Sequence, residues 1–260
     1  MKDITIILPI HKYKKEDLDM LTKALQSVAS NRKTYTAGKL SLICVCPENV
    51  KKQITPILKK EIATDFNILV NKENADFCSQ INLAAKSVTD DYFSILEFDD
   101  VYKENWFQMA EKYYYTNETV TLFLPINLFV LTHMGKHIQY GNEIAWAGSF
   151  SNDLGYIDFD ALKDFTSFNL TGGIFNTKDF NTLGGFNTEI KIAFNYDYLL
   201  KVTSKKLKVF VVPKEGYVHY IGRKDSLTDI YNKEFNADEI AKIFDSTLAS
   251  YEDKSEEISK

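Results

Sequence analysis

The chain has 260 residues, and its 31 Lys and Arg against 36 Asp and Glu give a formal net charge of −5. Apolar residues make up 45% and charged residues 26%, which excludes disorder of the whole chain and leaves room for one large domain or two small ones. The negative balance argues against a surface that coats nucleic acid in general, because that mechanism needs net positive charge. A local basic groove is still compatible with it.

The three cysteines are an odd set that cannot pair completely, so we predict a reducing compartment. Cys44 and Cys46 could form half of a metal site, but no second Cys or His pair follows at zinc-finger spacing, and we interpret them as buried strand thiols. The first residues lack the pattern of a signal peptide. The longest apolar stretch, 120–134, is too short and too polar to span a bilayer. We therefore expect a cytoplasmic protein without an integral membrane segment.

The first hundred residues alternate between predicted strands and predicted helices. Short apolar runs predict buried strands at residues 4–8 and 40–45, and further strands at 66–70 and 92–96. Apolar residues at helical spacing predict helices near residues 18–28, 54–62 and 77–88. This alternation indicates βαβ units and an α/β fold with a mostly parallel open sheet flanked by helices.

Polar segments follow three of these strands, at residues 9–12, 47–49 and 97–100. Ligands of open parallel sheets bind beyond the carboxyl ends of the strands, so this edge is the predicted functional face. Its strongest feature is the trio Glu97, Asp99 and Asp100. Such close carboxylates repel one another unless a cation neutralises them, and loop oxygens suit Mg²⁺ or Mn²⁺ shared with substrate phosphates. A solvated acidic turn is the alternative.

The second half of the chain is less regular. Its predicted elements are a helix at 106–115, strand-like segments at 120–124 and 128–132, a long loop region at 135–170, a helix that contains Asp197, a strand at 208–212 ending at Pro213, and a last helix at 233–250. The charged residues 252–260 are expected to fray.

Several short motifs, taken in order, resemble the family 2 glycosyltransferases with the GT-A fold. The nucleotide-binding half of that family is matched by residues 6–9, 74–82 and 92–100. Its second half is matched by residues 172–175, 180–186, 196–200 and 209–213. The resemblance covers about residues 3–228.

This resemblance implies a single GT-A domain over residues 1–232, with a nucleotide-sugar-binding half at 1–100 and an acceptor half with a closing loop at 101–232. Residues 233–260 would form a C-terminal helix and a charged tail. The implied enzyme moves a hexosyl or N-acetylhexosaminyl group, with inversion, from a nucleotide-diphosphate sugar, expected to be a UDP-sugar, to an acceptor hydroxyl. Mn²⁺ or Mg²⁺ is the implied cofactor. The acceptor (a glycan, a protein, a polymer or a modified nucleic acid) and the oligomeric state stay open.

The resemblance also implies how the donor is held. Asp99 matches the metal-binding Asp of the family's Asp-x-Asp motif, and Glu97 stands where that motif's first Asp contacts ribose or metal. His219 could be a third metal ligand, or a hydrogen-bonded His at a strand end. Pro9 and His11 would lie beside the nucleobase.

Three further features of the donor site follow from the same resemblance. Glu48 stands in the segment where the family usually has a uracil-reading Asp. Asn82 would face the nucleotide from its helix, or be an ordinary helix amide. The segment 219–228 resembles the family's closing segment, in which Arg223, Lys224 and Ser226 would bind the diphosphate.

On the acceptor side, Asp197 matches the Asp of the family's Glu-Asp pair, which implies the general base of inverting transfer. A helix N-terminal Asp favoured by the helix dipole is the alternative. Gly172 and Gly173 would let the acceptor approach the backbone, and Trp146 would stack on a sugar or belong to the core.

Two rival functions remain. Glu97, Tyr196 and residues 46–49 depart from the family pattern, which also suits a weak or inactive relative that binds sugar or assembles with other proteins. A nucleotidyltransferase shares a similar sheet and acidic motif, but usually carries a Gly-rich basic loop after its first strand, and residues 10–15 contain no glycine.

Overall fold

The computed structural model describes residues 2–71, 76–114, 119–131, 134–151, 153–224 and 226–258. Its strands are β1 (Ile4–Pro9), β2 (Leu40–Cys46), β3 (Phe66–Val70), β4 (Tyr92–Ile95), β5 (Val101–Tyr102), β6 (Val120–Leu131), β7 (Lys136–Gly141), β8 (Tyr156–Ile157), β9 (Ile174–Asn176) and β10 (Lys208–Ile221). Its helices are α1 (Leu18–Thr34), α2 (Glu48–Glu61), α3 (Phe77–Ala85), α4 (Trp106–Tyr114), α5 (Ala161–Asp164), α6 (Thr177–Thr182), α7 (Phe194–Ser204), α8 (Leu227–Glu234) and α9 (Ala237–Ile258).

Within the described residues the strands form one sheet in the order β3-β2-β1-β4-β9-β6-β10-β5, with β7 beside β6 and β8 beside β10. The neighbours β3, β2, β1 and β4 run parallel. Strand β9 runs antiparallel between β4 and β6, and β6 and β10 are again parallel. The predicted α/β class, with a mostly parallel open sheet flanked by helices, is confirmed.

The core lies on both faces of the sheet, because successive side chains of a strand point to opposite faces. Ile4, Ile6 and Leu8 of β1 pack in the cluster that contains α1, while Ile7 packs in the cluster that contains α3. All four side chains are fully buried. Burial of each side chain contributes roughly 1.5–3 kcal/mol to the stability of the fold. Because both faces of the strand are buried, its sequence is a continuous apolar run.

The sequence predicts separate strand segments on either side of Pro125 and a strand that ends at Pro213, but in the structure a strand runs through each proline. The segments 120–124 and 128–132 form one strand, β6, which runs through Pro125, and β10 continues through Pro213 to Ile221. Proline lacks an N–H group for the ladder and is tolerated at irregularities. The pairing of β10 with β6 shifts register between Val211 and Glu215, which accommodates Pro213.

The predicted loop region at 135–170 contains β7, β8 and α5, and the predicted last helix is two helices, α8 and α9. Helix α9 extends to Ile258, into the segment expected to fray, and Ile243, Phe244 and Leu248 pack on the core. Cys44 and Cys46 are buried free thiols of β2, as predicted. Several residues of predicted elements or motifs lie outside the described residues: Asn74, Ala75, Tyr115, Thr132, Asn152, Asp225, Ser259 and Lys260. Of the helices described, none has the length and apolar character needed to cross a membrane.

Candidate functional site

The acidic turn, Glu97 to Asp100, leaves the carboxyl end of β4 at the sheet edge predicted to bind ligands. The Leu96 amide still donates to Ile7 O of β1 at 2.9 Å, so the chain departs from the sheet one residue later. The Asp100 amide donates to Glu97 O at 3.1 Å and closes the turn. The amide of Glu97 donates to the hydroxyl oxygen of Tyr217 at 3.0 Å.

Asp100 is fastened to the end of β10. Its Oδ2 lies 2.6 Å from His219 Nδ1, and its Oδ1 accepts from the Tyr220 amide at 2.8 Å. The side chain is 1% exposed, so the ion pair with His219 compensates the cost of burying the carboxylate. Asp100 is therefore part of the scaffold of the site as well as a charge in it.

Asp99 pairs with the segment that follows β10. Its Oδ2 accepts from Arg223 Nε at 2.7 Å, and the guanidinium lies 5.2 Å from the centre of the Phe98 ring. The sequence predicts Asp99 as a metal ligand and leaves His219 open between a further metal ligand and a hydrogen-bonded His at a strand end. In the structure His219 contacts Asp100, and Asp99 contacts Arg223.

The charges of the turn shift one another's pKa values. Burial and the neighbouring Asp100 raise the pKa of Glu97 to about 8. Burial, followed by Asp100, also raises the pKa of Asp99, although Arg223 opposes this shift. Burial alone would lower the pKa of His219, but the carboxylates of Asp100, Glu97 and Asp99 outweigh it and raise the value to about 9. Excess negative charge on the turn thus favours cations and protons at this edge.

A first cavity opens over the turn. It brings together seven of the residues predicted from the sequence: Pro9, His11, Glu97, Asp99, His219, Arg223 and Ser226. Burial, together with Lys12 and Arg223, lowers the pKa of His11 and favours its neutral form. Ser226 caps α8, because its hydroxyl accepts from the Asp229 amide at 3.1 Å.

A second cavity, of about 440 Å³, lies beside the first and shares Glu97 and His219 with it. Asn169, Thr171 and Asn195 provide polar walls, and Phe77 and Tyr231 provide aromatic ones. The buried Oδ1 of Asn195 has no hydrogen-bond partner among the described residues. The mixed polar and aromatic lining of this cavity suits a ligand that carries hydroxyl groups.

Three residues predicted to bind the donor do not line either cavity in the described part of the chain. Glu48 and Lys224 are exposed. Asn82 clamps the turn before α7: its amide nitrogen donates to Phe186 O at 2.8 Å, and its Oδ1 accepts from the Phe186 amide at 2.9 Å. The alternative of a structural helix amide is the one that fits Asn82.

Asp197 lies under the C-terminal helix. It is 3% exposed, and its Oδ1 accepts from the Tyr251 hydroxyl of α9 at 2.9 Å. Lys201 Nζ is 3.8 Å from Oδ2, which has no hydrogen-bond partner among the described residues. Asp197 lines a third cavity, between α9 and the 187–192 loop, and neither of the first two.

The residues predicted to bind the acceptor are framework residues in the structure. The Trp146 indole N–H donates to Val211 O at 3.0 Å, and its ring packs on Phe210. Gly172 has a φ of +78°, and a Cβ there would lie 2.6 Å from the Tyr217 ring. Gly173 is buried beside Leu170, whose carbonyl accepts from the Gly173 amide at 3.0 Å.

A divalent cation fits one group of residues at this edge. Glu97, Asp100 and His219 each offer one ligand atom, and these atoms lie within 4.8 Å of one another. Two carboxylates and an imidazole suit Mn²⁺, or Mg²⁺ if water and phosphate complete its shell. The group contains one of the two metal ligands predicted from the sequence, His219.

Sequence reasoning missed Tyr217 and several residues of the second cavity, among them Asn195. Tyr217 lies two positions before His219 on β10, so both point to the same face of the strand, and period-two spacing could have identified it. Asn195 lies two positions before Asp197 at the start of α7. The motif around Asp197 assigns the functional side chain to that residue, whereas in the structure Asn195 lines the second cavity.

No protein-family model matches the sequence, and no curated protein sequence matches it. Solved structures do. Residues 1–349 of TarS from S. aureus in complex with UDP-GlcNAc share 13% identity over 88% of this chain and 61% of theirs, with a TM-score of 0.65. The mannosyltransferase PcManGT from Pyrobaculum calidifontis, in complex with GDP-Man and Mn²⁺, shares 13% identity over 85% of this chain and 58% of its own, with a TM-score of 0.63.

The chain thus spans about 60% of the length of these structures. Both proteins are glycosyltransferases with a GT-A type of fold. At this identity the similarity is one of backbone fold. It is the fold that the order of motifs along the sequence leads us to expect. The chain therefore has the GT-A fold.

Proposed function

We propose that the protein is a glycosyltransferase that takes a sugar from a nucleotide-diphosphate donor. The observation that carries this proposal is the acidic turn at the carboxyl edge of a GT-A sheet, joined to His219 and Arg223 at a common cavity. A cluster of acidic and basic groups at a strand edge suits a diphosphate with its cation. The TarS and PcManGT complexes with UDP-GlcNAc and GDP-Man support a nucleotide-sugar as ligand.

In this proposal the first cavity holds the nucleotide. Pro9 and His11 line it at the end of β1 and would border the base, and Arg223 with the Ser226 hydroxyl would contact the diphosphate. Glu97, Asp100 and His219 would hold Mn²⁺ or Mg²⁺, which supplies charge that stabilises the leaving diphosphate. The donor we expect is a UDP-sugar, with a hexosyl or N-acetylhexosaminyl group.

The second cavity would receive the acceptor, because it shares Glu97 and His219 with the first. Asp197 remains our proposed general base for an inverting transfer, and its carboxylate must then be uncovered by movement of α9. The acceptor hydroxyl in this cavity would belong to a glycan, a protein, a polymer or a modified nucleic acid. The transfer would take place in the cytoplasm.

A sugar-binding protein without transfer is the second candidate. The covered position of Asp197 favours it, because the predicted base has no access to either of the first two cavities in this conformation. The two candidates differ in turnover: both bind a nucleotide-sugar, but only the enzyme cleaves it.

The proposal is tested by hydrolysis of UDP-GlcNAc and GDP-Man with Mn²⁺, measured as release of UDP or GDP. We expect wild-type turnover of one donor and at least a tenfold loss in Asp100→Asn, since a charge-assisted contact contributes about 1.5–3 kcal/mol. Asp90→Asn is the matched control. Asp90 accepts from Thr5 and Ser41 and lies outside both cavities. Binding without release of UDP or GDP would favour the second candidate, and equal losses in both variants would argue against this site.

A further inference from the structure

The acidic turn is fastened by hydrogen bonds to β10 and the residues after it. Three of these bonds involve side chains of the turn, through Asp99 to Arg223 and through Asp100 to His219 and Tyr220. The fourth involves the backbone: the Glu97 amide donates to the Tyr217 hydroxyl oxygen at 3.0 Å. Tyr217 therefore holds the first residue of the turn, where the chain leaves β4.

The ring of Tyr217 has a fixed position. It is fully buried and lies edge-on to Tyr102, with ring centres 5.5 Å apart. The ring also lies against Gly172, whose φ of +78° and missing Cβ make room for it. The Gly172 carbonyl is itself held by the Trp106 indole N–H at 3.0 Å.

We infer that Tyr217 is a positioning residue of the donor site, which sets the geometry of the acidic turn through the Glu97 amide. This inference rests on the proposed function. One residue earlier, the Leu96 amide is held by β1, so the Tyr217 bond extends the ordered backbone past the end of the sheet. Without that acceptor the partly buried Glu97 amide loses its partner, and the turn that carries Glu97, Asp99 and Asp100 is no longer held at its first residue.

The same contacts explain Gly172. A methyl group there would lie 2.6 Å from the Tyr217 ring, in a backbone conformation that other residues rarely adopt. Gly172 acts on the donor site through Tyr217, whose hydroxyl oxygen accepts from the Glu97 amide. The sequence motif around Gly172 is therefore tied to the acidic turn.

The test is Tyr217→Phe, which keeps the ring and removes the hydroxyl oxygen. Tyr102→Phe is the matched control: it also removes a buried hydroxyl, one bonded to Ser94 Oγ at 2.8 Å. Calorimetry measures the dissociation constants of UDP and GDP in the presence of Mn²⁺, and thermal unfolding is recorded for each variant. We expect the dissociation constant of the nucleotide that the wild type binds to rise about tenfold in Tyr217→Phe and to stay within twofold in Tyr102→Phe.

A purely structural role for Tyr217 would lower thermal stability and leave nucleotide affinity unchanged in the folded protein. Donor hydrolysis adds a second criterion, because misplacement of the turn lowers kcat/KM for the donor, whereas a purely structural role leaves it unchanged in the folded protein. If Tyr217→Phe binds nucleotide within twofold of wild type, the inference is overturned and the proposed function stands. If wild type binds neither nucleotide, the proposed function fails and takes this inference with it.

Discussion

At the residue scale, the ion pair with Arg223 occupies one carboxylate oxygen of Asp99. Its Nε lies 2.7 Å from Asp99 Oδ2, and its guanidinium lies against the Phe98 ring. The same cation lines the first cavity, where a diphosphate would compete with Asp99 for it. Arg223 thus links the acidic turn to the segment that leads into α8.

We expect Arg223→Lys to weaken nucleotide binding about fivefold to thirtyfold. Lysine keeps the charge, but it lacks the planar guanidinium that pairs with oxyanions and stacks on Phe98. Calorimetric titration with UDP or GDP measures the effect, with Lys224→Arg as a control at the neighbouring exposed position. Equal affinity of Arg223→Lys and wild type would show that the guanidinium does not contact the nucleotide.

The protonation of Glu97 and His219 predicts a pH dependence of stability. The folded-state pKa of Glu97 is raised from 4.5 to about 8, so the folded protein binds more protons than the unfolded chain between these values. Stability is then lost as the pH rises through this window. His219 is raised from 6.5 to about 9, so its contribution is full below 6.5 and is also lost as the pH rises through 9.

The Glu97→Gln variant isolates the first of these effects. Glutamine resembles the protonated acid, so we expect the variant to gain stability relative to wild type as the pH rises from 5 to 8. Denaturant unfolding at several pH values measures this difference. A constant difference over that range would contradict the raised pKa of Glu97.

At the element scale, helix α9 determines whether Asp197 is available. Tyr251 of α9 donates to Asp197 Oδ1, and the apolar side chains of Ile243, Phe244 and Leu248 fix the helix on the core. The motif around Asp197 predicts a base in the cleft. The structure places that carboxylate beneath a helix that the motif does not include.

Two variants separate the roles of Asp197. Asp197→Asn and Tyr251→Phe alter the same hydrogen bond, so each should lower the free energy of unfolding by about 1–2 kcal/mol, with coupling in the double variant. If Asp197 is the base, only Asp197→Asn lowers donor turnover, by about 10²- to 10⁴-fold, and Tyr251→Phe stays within about threefold. Equal turnover in the two variants would remove Asp197 from the mechanism.

The elements show where sequence reasoning succeeds. Strands β1, β2 and β4 are apolar runs buried along nearly their whole length, and such runs are recognisable without any tertiary information. Strand β3 lies at the edge of the sheet and is only partly buried. The sequence predicts that strand β10 stops at Pro213, because a proline removes a ladder bond. The register shift that tolerates it depends on β6, more than eighty residues away in the sequence.

At the scale of the whole molecule, the site depends on strand order. The motifs at residues 97–100 and 219–223 were both identified in the sequence, but their pairing was not. Strand β5 follows the acidic turn directly and pairs antiparallel with β10, which brings Asp100 to His219 and Asp99 to Arg223. Side-chain pairing of this kind follows from tertiary contacts and has no local signal.

The chain shares its backbone fold with TarS and PcManGT at only 13% sequence identity. Buried strands tolerate exchange among apolar residues, so a backbone persists while the sequence diverges. The edge of the sheet carries polar residues that packing does not determine. Polar residues at this edge, such as Glu97 and Arg223, are therefore informative about ligands rather than about the fold.

The most direct measurement for the whole account is calorimetric titration of the wild-type protein with UDP and with GDP, each with and without Mn²⁺. We predict that one nucleotide binds with a micromolar dissociation constant, about −8 kcal/mol, and that omission of Mn²⁺ weakens it at least tenfold. UDP is the expected ligand. The absence of binding by either nucleotide at millimolar concentration, in protein shown to be folded, would contradict the proposed donor site and with it the proposed function.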